Sequence, residues 1–239
     1  MNPTSLNEQQ HHILFDSNAV GEIVPQWFEI EYWQDLAQVT ATGRGRGRAW
    51  FVESKGRSMV LRHYQRGGAM SGLLGDRYFW QGLENTRAWR EWHLLATLWQ
   101  QGLPVPQPLA AHVIHTGLFY RADLLTVKIP ASRSLSDYLL ERSLQPTDWQ
   151  SIGQLLRRFH DAKIFHADLN AHNILMKDNL EFYLIDFDKG KIMAKTQNEA
   201  WKEANLQRLR RSLQKLSMID NGFHYTDADW TSLLTGYAK

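Results

Sequence analysis

The chain has 239 residues, of which 43% are hydrophobic and 22% charged, and its formal net charge is +2. This composition can bury a core in one domain or in two small lobes. The absence of cysteine excludes disulfides and thiolate metal sites. No apolar run reaches the ~18 residues that a membrane-spanning helix needs, and the start MNPTSLNEQQHH lacks the apolar core of a signal peptide. We therefore expect a cytoplasmic protein, either free or resting on a membrane.

The first part of the chain predicts mostly β structure. Residues 1–12 are polar and predict a disordered or weakly held start, after which 13–15 predicts a short strand. Apolar residues recur at helical spacing over 25–36 and indicate a helix. Residues 39–52 predict a hairpin, and the apolar run 59–64 predicts the strand that follows it.

The predicted hairpin turns at the glycine-rich string TGRGRGR. Glycine backbone can approach a phosphate closely, so Gly43, Gly45 and Gly47 suggest a phosphate-binding turn. Their spacing is G-x-G-x-G, which misplaces the third glycine for the G-x-G-x-x-G turn of kinases. The same string also fits an arginine–glycine segment that binds nucleic acid. Against that alternative, the string is short, occurs once and runs directly into a strand.

A charged pair is expected between strand 59–64 and the next helix, predicted over 84–101. The apolar stripe of that helix contains Ala88, Trp92, Leu95 and Trp99. Glu91 lies one residue off the stripe, which makes it the expected partner of Arg62 on the strand. Arg62 stands where kinases carry the lysine that grips ATP phosphates. The alternatives are that Arg62 is an ordinary surface residue, or that Lys55 in the preceding turn takes this role.

The rest of the chain alternates strands with helices. Strands are predicted over 109–114 and 118–129, and a short helix over 134–140. Residues 147–162 predict a strong helix that begins with a capping box of Thr147 and Gln150.

A last helix is predicted over 198–218. Its expected buried face contains Leu206, Leu209, Leu213 and Leu216. Beside that face runs a basic stripe of Arg208, Arg211 and Lys215. The stripe suits either anionic lipid headgroups or simple contact with water.

The stretch 165–190, FHADLNAHNILMKDNLEFYLIDFDKG, has the pattern of a phosphoryl-transfer site. Two apolar runs, 174–176 and 182–185, predict a hairpin because they flank the turn residues KDN. His166 and Asp168 precede this hairpin and Asp186 follows it. Phosphoryl transfer needs mainly positioning and charge neutralisation, and Mg²⁺ prefers oxygen ligands.

The spacing matches H-x-D-x-x-x-x-N followed by D-F-x, the catalytic and metal loops of kinases. By that match, Asp168 is the base that takes the proton of the acceptor hydroxyl. Asn173 and Asp186 hold Mg²⁺, and His166 braces the loop. Two positions depart from the protein-kinase pattern, since Ala167 replaces arginine and Asp188 replaces the glycine of D-F-G.

The acceptor is expected to be a small molecule or glycolipid. No A-P-E motif follows Asp186, and only residues 191–239 remain after the metal loop. A protein kinase needs a longer activation segment and further helices to bind a peptide. Clustered arginines elsewhere in the chain suit phosphates and carboxylates.

The sequence resembles the lipopolysaccharide-core sugar kinases of Gram-negative bacteria, most closely those acting on 3-deoxy-D-manno-octulosonic acid (Kdo). The resemblance covers nearly the whole chain. It rests on five strings: VLRHYQRGG (60–68), TRAWREWHLLATLWQQGLPVPQPLA (86–110), FHADLNAHNIL (165–175), LIDFDKG (184–190) and LQRLRRSLQK (206–215). It implies an α+β, two-lobed protein-kinase-like fold, with a small antiparallel-sheet N-lobe (about 13–127) and a reduced, mostly helical C-lobe (about 128–239).

The resemblance also implies an activity and a location. The expected reaction transfers phosphate from ATP, with Mg²⁺, to the 4-hydroxyl of Kdo on a Kdo–lipid A precursor. The expected location is the cytoplasmic face of the inner membrane, on its anionic surface, with no nucleic acid or protein partner. In that scheme Gly45 and Gly47 cover the ATP phosphates, and Arg62, set by Glu91, grips them. The alternatives are a kinase for heptose or another core sugar, and a non-catalytic nucleotide-binding scaffold.

Overall fold

The computed structural model describes residues 1–36, 38–42, 48–65, 75–194 and 198–239. Over these residues the protein is a mixed α/β structure with antiparallel sheets. It divides into two compact units. The first unit contains Met1–Gln100 and Pro106–Ile129, and the second contains Gln101–Val105 and Pro130–Lys239. No helix in the described ranges combines the length and the apolar character needed to cross a bilayer.

The first unit is built on one antiparallel sheet. Its strands are β1 (Pro3–Glu8), β2 (His11–Asp16), β3 (Val39–Thr42), β4 (Arg48–Ser54), β5 (Arg57–His63), β6 (Tyr78–Phe79), β7 (Pro108–Thr116) and β8 (Phe119–Val127). They are ordered β1-β2-β7-β8-β5-β4-β3, and β6 pairs with β8. The predicted strands over 39–52, 59–64, 109–114 and 118–129 are therefore present.

Within the described ranges, the first unit has two α-helices, α1 (Ile30–Asp35) and α2 (Arg87–Gln100). The stretch predicted as one helix over 25–36 is split, because Glu29 is extended between a 3₁₀ turn (Pro25–Phe28) and α1. Trp33 of α1 packs with strand residues such as Leu61 and Leu125 in the core. Helix α2 packs on β7 and β8. It buries most of its predicted stripe, although Trp99 is 39% exposed.

The predicted disorder of residues 1–12 is wrong. Strand β1 pairs with β2 along its whole length, from Pro3 opposite Asp16 to Glu8 opposite His11. The Asn2 backbone N–H also donates to the Asp16 carboxylate at 2.7 Å. An edge strand needs backbone partners more than an apolar pattern, since one of its faces and one of its edges meet water. Composition alone therefore does not reveal it.

The second unit combines short strands with longer helices. The strands are β9 (Ser132–Ser134), β10 (Ile164–Phe165), β11 (Ile174–Lys177), β12 (Phe182–Leu184) and β13 (Lys191–Ile192). The helices are α3 (Leu135–Glu141), α4 (Pro146–Asp161), α5 (Ala200–Ile219) and α6 (Asp227–Tyr237). Strands β11 and β12 form the predicted hairpin, β9 pairs with β11, and β10 pairs with β13.

Helix α4 begins slightly earlier than predicted. Its capping box is formed by Gln145 and Asp148, not by Thr147 and Gln150. Pro146 takes the first helical position, where its missing N–H costs nothing and its fixed φ favours the helix. The residue before that proline, Gln145, is extended and so becomes the cap.

Helix α6 has no counterpart among the predicted elements. It begins with a capping box of Thr226 and Asp229 and packs along α4. The two helices approach closely because a glycine faces the partner on each side. A Cβ atom on Gly153 would lie 2.0 Å from the carbonyl oxygen of Leu233, and one on Gly236 would lie 2.0 Å from that of Gln150.

Candidate active site

The loop between β10 and β11 is organised around the buried ring of His166. Nε2 of His166 lies 2.9 Å from the carbonyl oxygen of Ile185, and the backbone N–H of Asp168 donates to Nδ1 at 3.2 Å. Because a carbonyl only accepts and an N–H only donates, these contacts define a neutral ring protonated on Nε2. Burial lowers the pKa of His166, which favours the same neutral form. The ring is thus placed as a brace for the loop.

Asp168 presents an exposed carboxylate on a fixed backbone. Its side chain is 61% exposed. Arg208 donates to Oδ1 at 3.2 Å, and the Asn170 side-chain amide donates to Oδ2 at 3.2 Å. Each carboxylate oxygen keeps further lone pairs, so both contacts leave room for a proton from a bound hydroxyl.

Asn173 is buried at the end of the same loop, only 8% exposed. Its side-chain NH₂ donates to the backbone carbonyl of Asp168 at 2.9 Å. Its side-chain Oδ1 receives no hydrogen bond from any residue in the described ranges. An amide oxygen in that condition is available as a metal ligand.

Asp186 follows strand β12, one residue after Ile185. Its backbone has φ of +62°, a left-handed conformation that costs a non-glycine residue about 1–3 kcal/mol. The next side chain, Phe187, is buried and packs on His166 and Phe159 with ring centroids 4.7 and 5.8 Å apart. The buried Phe187 ring is one contact that holds the chain at this turn.

A closed ring of four hydrogen bonds connects these residues. It runs from the Asp168 N–H to His166, from His166 to the Ile185 carbonyl, from the Ile185 N–H to the Asn173 carbonyl at 3.0 Å, and from the Asn173 side chain to the Asp168 carbonyl. Asp168 and Asn173 take part in this ring of hydrogen bonds. Asp186 is joined to it through the peptide bond with Ile185. The same hydrogen-bond network therefore connects the backbones of the three residues whose side-chain oxygens were predicted to form the site.

The donor set fits Mg²⁺ better than a metal held entirely by protein. Among the described residues, no group of three or more His, Cys, Asp or Glu side chains is placed to hold a metal ion. Asn173 and Asp186 would offer two oxygen ligands. Mg²⁺ bound to a nucleotide usually takes one or two carboxylates, with phosphates and water completing its shell.

In the first unit, Arg62 and Glu91 form the predicted pair. The guanidinium of Arg62 donates to Oε2 of Glu91, and the Tyr64 hydroxyl donates to the same oxygen at 2.6 Å. Arg62 also donates to the Tyr64 hydroxyl at 2.9 Å. The side chain of Glu91 is 2% exposed and that of Arg62 is 19% exposed, so a buried carboxylate anchors a more accessible cation.

Two predicted site residues, Gly45 and Gly47, lie outside the described residues. So do Gly43 and the arginines between these glycines.

Sequence reasoning missed three residues of α5 that contact the loop. Asn205 bonds the backbone of His166, Arg208 bonds Asp168, and Ser212 bonds the backbone of Ala171. Their spacing of three and four residues places them on one helix face. That polar spacing within an otherwise leucine-rich helix is the signal that could have identified them.

Comparisons with known proteins identify the family of this chain. The model of the lipopolysaccharide kinase (Kdo/WaaP) family matches residues 30–237. The chain is 40% identical to a 3-deoxy-D-manno-octulosonic acid kinase of Actinobacillus succinogenes, over 97% of this chain and 99% of that protein. It is 41% identical to the protein of that name from Photobacterium profundum, over 94% of each chain. With the relative of that name from Haemophilus influenzae the identity is 37%, over 96% of this chain and 97% of the other.

The match to the family model and the alignments with these relatives cover nearly the whole chain. The family model includes the loop of Asp168 and Asn173 and the turn of Asp186. The chain therefore belongs to the lipopolysaccharide kinase (Kdo/WaaP) family.

Proposed function

We propose that this protein transfers phosphate from ATP to a Kdo hydroxyl, at the 4-position, on a Kdo–lipid A precursor. The choice of sugar rests on relatives about 40% identical over nearly their full length, which are named as kinases of Kdo. The observation that carries the chemistry is the hydrogen-bonded ring that ties Asp168 and Asn173 to the residue before Asp186.

Asp168 is proposed as the catalytic base. Its carboxylate is exposed, so an acceptor hydroxyl can approach it, while its backbone N–H and carbonyl are both hydrogen-bonded within the ring. A base must lie within hydrogen-bond reach of the proton it removes. A fixed backbone beneath an open carboxylate meets that requirement.

The proposed cofactor is ATP with Mg²⁺. Asn173 Oδ1 and the Asp186 carboxylate would be the protein ligands of Mg²⁺, which neutralises phosphate charge when bound. Arg62, fixed by Glu91 and Tyr64, would bind the phosphates. Gly45 and Gly47 remain predicted to cover them.

We further propose that the two compact units are the lobes of a protein-kinase-like fold. The N-lobe would be about 13–127 and the C-lobe about 128–239. The change of unit after Ile129 supports this division, as does the all-antiparallel sheet of the first unit.

Attachment to an anionic membrane is the last part of the proposal. At the end of α5, Met218 and Ile219 are 83% and 71% exposed, and the exposed residues Arg211 and Lys215 precede them on the same helix face. Cations beside exposed apolar side chains are what an anionic phospholipid surface binds. The expected site of attachment is the cytoplasmic face of the inner membrane.

The test is transfer of labelled phosphate from ATP to defined glycolipids. Purified protein should label a Kdo–lipid A precursor, and NMR of the product should place the phosphate on the 4-hydroxyl of Kdo. Asp168→Asn should lower turnover ~100-fold or more while the circular dichroism spectrum stays that of the wild type. Omitting Mg²⁺ should abolish transfer.

Other outcomes would identify the alternatives. Labelling only of heptosylated acceptors would favour a heptose kinase. Nucleotide binding with no transfer to any glycolipid would favour a scaffold. RNA retardation at moderate salt would favour nucleic-acid binding through TGRGRGR. Wild-type turnover in folded Asp168→Asn would reject the assignment of the base.

A further inference from the structure

Helix α5 contacts the catalytic loop through three polar side chains on one face. Asn205, Arg208 and Ser212 follow one another at intervals of three and four residues. They reach three successive points of the loop, namely His166, Asp168 and Ala171. The neighbouring face of the helix buries Leu206, Leu209 and Leu213.

Two of the three contacts hold backbone only. Asn205 is 1% exposed; its NH₂ donates to the His166 carbonyl at 2.7 Å, and its oxygen accepts from the His166 N–H at 3.3 Å. The Ser212 hydroxyl accepts from the Ala171 N–H at 3.2 Å. Together with the buried leucines, these contacts fix the loop on the helix without help from Arg208.

Arg208 is the member of this face that touches the side chain of Asp168. Its Nη1 lies 3.2 Å from Oδ1, and the side-chain amide of Asn170 approaches Oδ2 from the loop itself. With 61% of the Asp168 side chain exposed, packing alone does not select one rotamer. Two donors, one on each oxygen, restrict the rotation of the carboxylate about χ1 and χ2.

We propose that Arg208 is a positioning residue for Asp168, in addition to any contact with substrate. It holds the carboxylate in the orientation that accepts the proton of the acceptor hydroxyl. This inference rests on the proposed function, because it assumes that Asp168 is the base. The inference also gives Arg208 a role different from that of Arg211 and Lys215, although the three residues form one basic stripe in the sequence.

The contact is expected to matter for turnover and little for folding. Exposed arginine–carboxylate pairs contribute little to stability, and Arg208 is 48% exposed. Misplacing a catalytic group by about 1 Å, by contrast, can cost ~100-fold in rate. Loss of Arg208 should therefore lower kcat and leave the melting temperature near that of the wild type.

The experiment compares Arg208→Gln and Arg208→Lys with the control Arg210→Gln. Arg210 lies on the same helix and makes an arginine–aspartate contact of the same length, 3.2 Å, to Asp227. We expect kcat of Arg208→Gln to fall by about 10- to 100-fold, with the KM values for ATP and for the Kdo glycolipid within about threefold of wild type. Arg208→Lys should recover part of the loss, since it keeps the charge but not the planar fork. Arg210→Gln should keep the kcat of the wild type.

Chemical rescue distinguishes positioning from a loss of fold. Guanidinium ion added to Arg208→Ala should restore part of kcat, and should not raise the kcat of Arg210→Gln or of Asp168→Asn. Wild-type kcat in Arg208→Gln would overturn the inference. A higher KM for the glycolipid with unchanged kcat would also overturn it and would instead place Arg208 in acceptor binding.

The Asp168→Asn variant shows which of the two proposals fails. If Asp168→Asn keeps full turnover, the proposed function itself fails. If Asp168→Asn is inactive and Arg208→Gln is normal, only this inference fails.

Discussion

At Asp168, the protein combines a rigid backbone with an open side chain. The ring of hydrogen bonds through His166, Ile185 and Asn173 fixes the loop, yet the carboxylate itself remains mostly exposed. A base needs both properties, because it must meet a substrate from solution in a defined orientation. Neutral His166 contributes to this rigidity without adding charge next to the proposed base.

In contrast to Asp168, Glu91 has a buried carboxylate, which accepts hydrogen bonds from Arg62 and Tyr64. We expect Glu91→Gln to raise the KM for ATP at least ~10-fold, because the amide cannot balance the charge that fixes Arg62. The measurement is steady-state kinetics with ATP varied at saturating glycolipid. Glu84→Gln, an exposed change just before α2, should leave the KM unchanged. An unaltered KM in Glu91→Gln would exclude a phosphate-binding role for the pair.

The buried side chain of His160 makes the stability of the second unit depend on pH. Its ring contacts the Tyr237 hydroxyl at 2.8 Å and the Asn205 side chain at 3.4 Å. Burial is the main cause that lowers its pKa from 6.5 to about 4. Between these values the unfolded chain binds a proton that the folded ring does not, so the free energy of unfolding decreases as the pH falls through that window.

We therefore expect the wild type to lose about 3 kcal/mol more than His160→Gln between pH 6.5 and about 4. Urea unfolding of both proteins across this range measures the difference in slope. Gln154→Ala, an exposed and uncharged change on α4, should keep the wild-type slope. Parallel pH profiles of wild type and His160→Gln would contradict the assignment.

His63 acts in the other direction in the first unit. Burial opposes its protonation, but hydrogen bonds and charge from Asp123 and Asp76 outweigh burial and raise its pKa above 6.5. Its contribution to stability is thus fully present below pH 6.5 and is lost as the pH rises through the raised pKa. Because the two effects have opposite signs, the contributions of His63 and His160 to the pH dependence of stability are measured by comparing variants with the wild type.

Among the elements, α5 has two faces with separate contacts and an exposed end. Leucines face the core, Asn205, Arg208 and Ser212 face the catalytic loop, and Met218 and Ile219 lie exposed at its end. Helical spacing in the sequence predicted the leucine face correctly for Leu206, Leu209 and Leu213. It grouped Arg208 with Arg211 and Lys215 in one basic stripe, because spacing can mark a polar face but does not reveal which loop lies opposite it.

The α4–α6 pair depends on glycine at the point of closest approach. Gly153→Ala should lower the free energy of unfolding by about 2 kcal/mol or more, since the added methyl would meet backbone atoms that cannot rotate away. The gain in helix propensity, about 1 kcal/mol, is smaller than this cost. Urea unfolding measures the change, with Ser151→Ala on the exposed face of α4 as the control. An unchanged or higher midpoint would show that the helices separate without cost.

At the scale of the whole molecule, the proposed glycolipid acceptor would have to extend from the proposed membrane surface to Asp168. From Arg208 to Met218 is ten residues along α5, which corresponds to about 15 Å. If the end of α5 lies on the bilayer, the base stands about that far along the helix axis from the lipid surface. The headgroup of a glycolipid would have to reach this distance while its acyl chains stay in the membrane.

Replacing both Met218 and Ile219 with serine should weaken sedimentation with vesicles that contain phosphatidylglycerol, because each exposed apolar side chain contributes to binding at an interface. Transfer to a detergent-solubilised Kdo glycolipid should be unchanged. Leu118→Ser, which removes a leucine that is 75% exposed, is the matched control and should sediment as the wild type does. Equal sedimentation of the double variant would remove the end of α5 as a membrane contact.

The sequence by itself determined the features that depend on local spacing. Two apolar runs around KDN predicted the β11–β12 hairpin, and helical periodicity predicted α2, α4 and α5 to within a few residues. The motif at His166, Asp168, Asn173 and Asp186 predicted the chemistry, because those residue types at that spacing serve few other purposes. Each of these signals extends over a few neighbouring residues, where the chain's own geometry sets the contacts.

Only the tertiary structure decided which distant residues meet. Strand β1 forms although its sequence is polar, because β2 satisfies its backbone, and α6 packs against α4 through glycines at positions 153 and 236. Arg208 lies forty residues from Asp168 along the chain, and its contact depends on how the leucines of α5 seat the helix. Such contacts follow from packing between elements, and packing leaves little trace in the spacing of residues within any one of them.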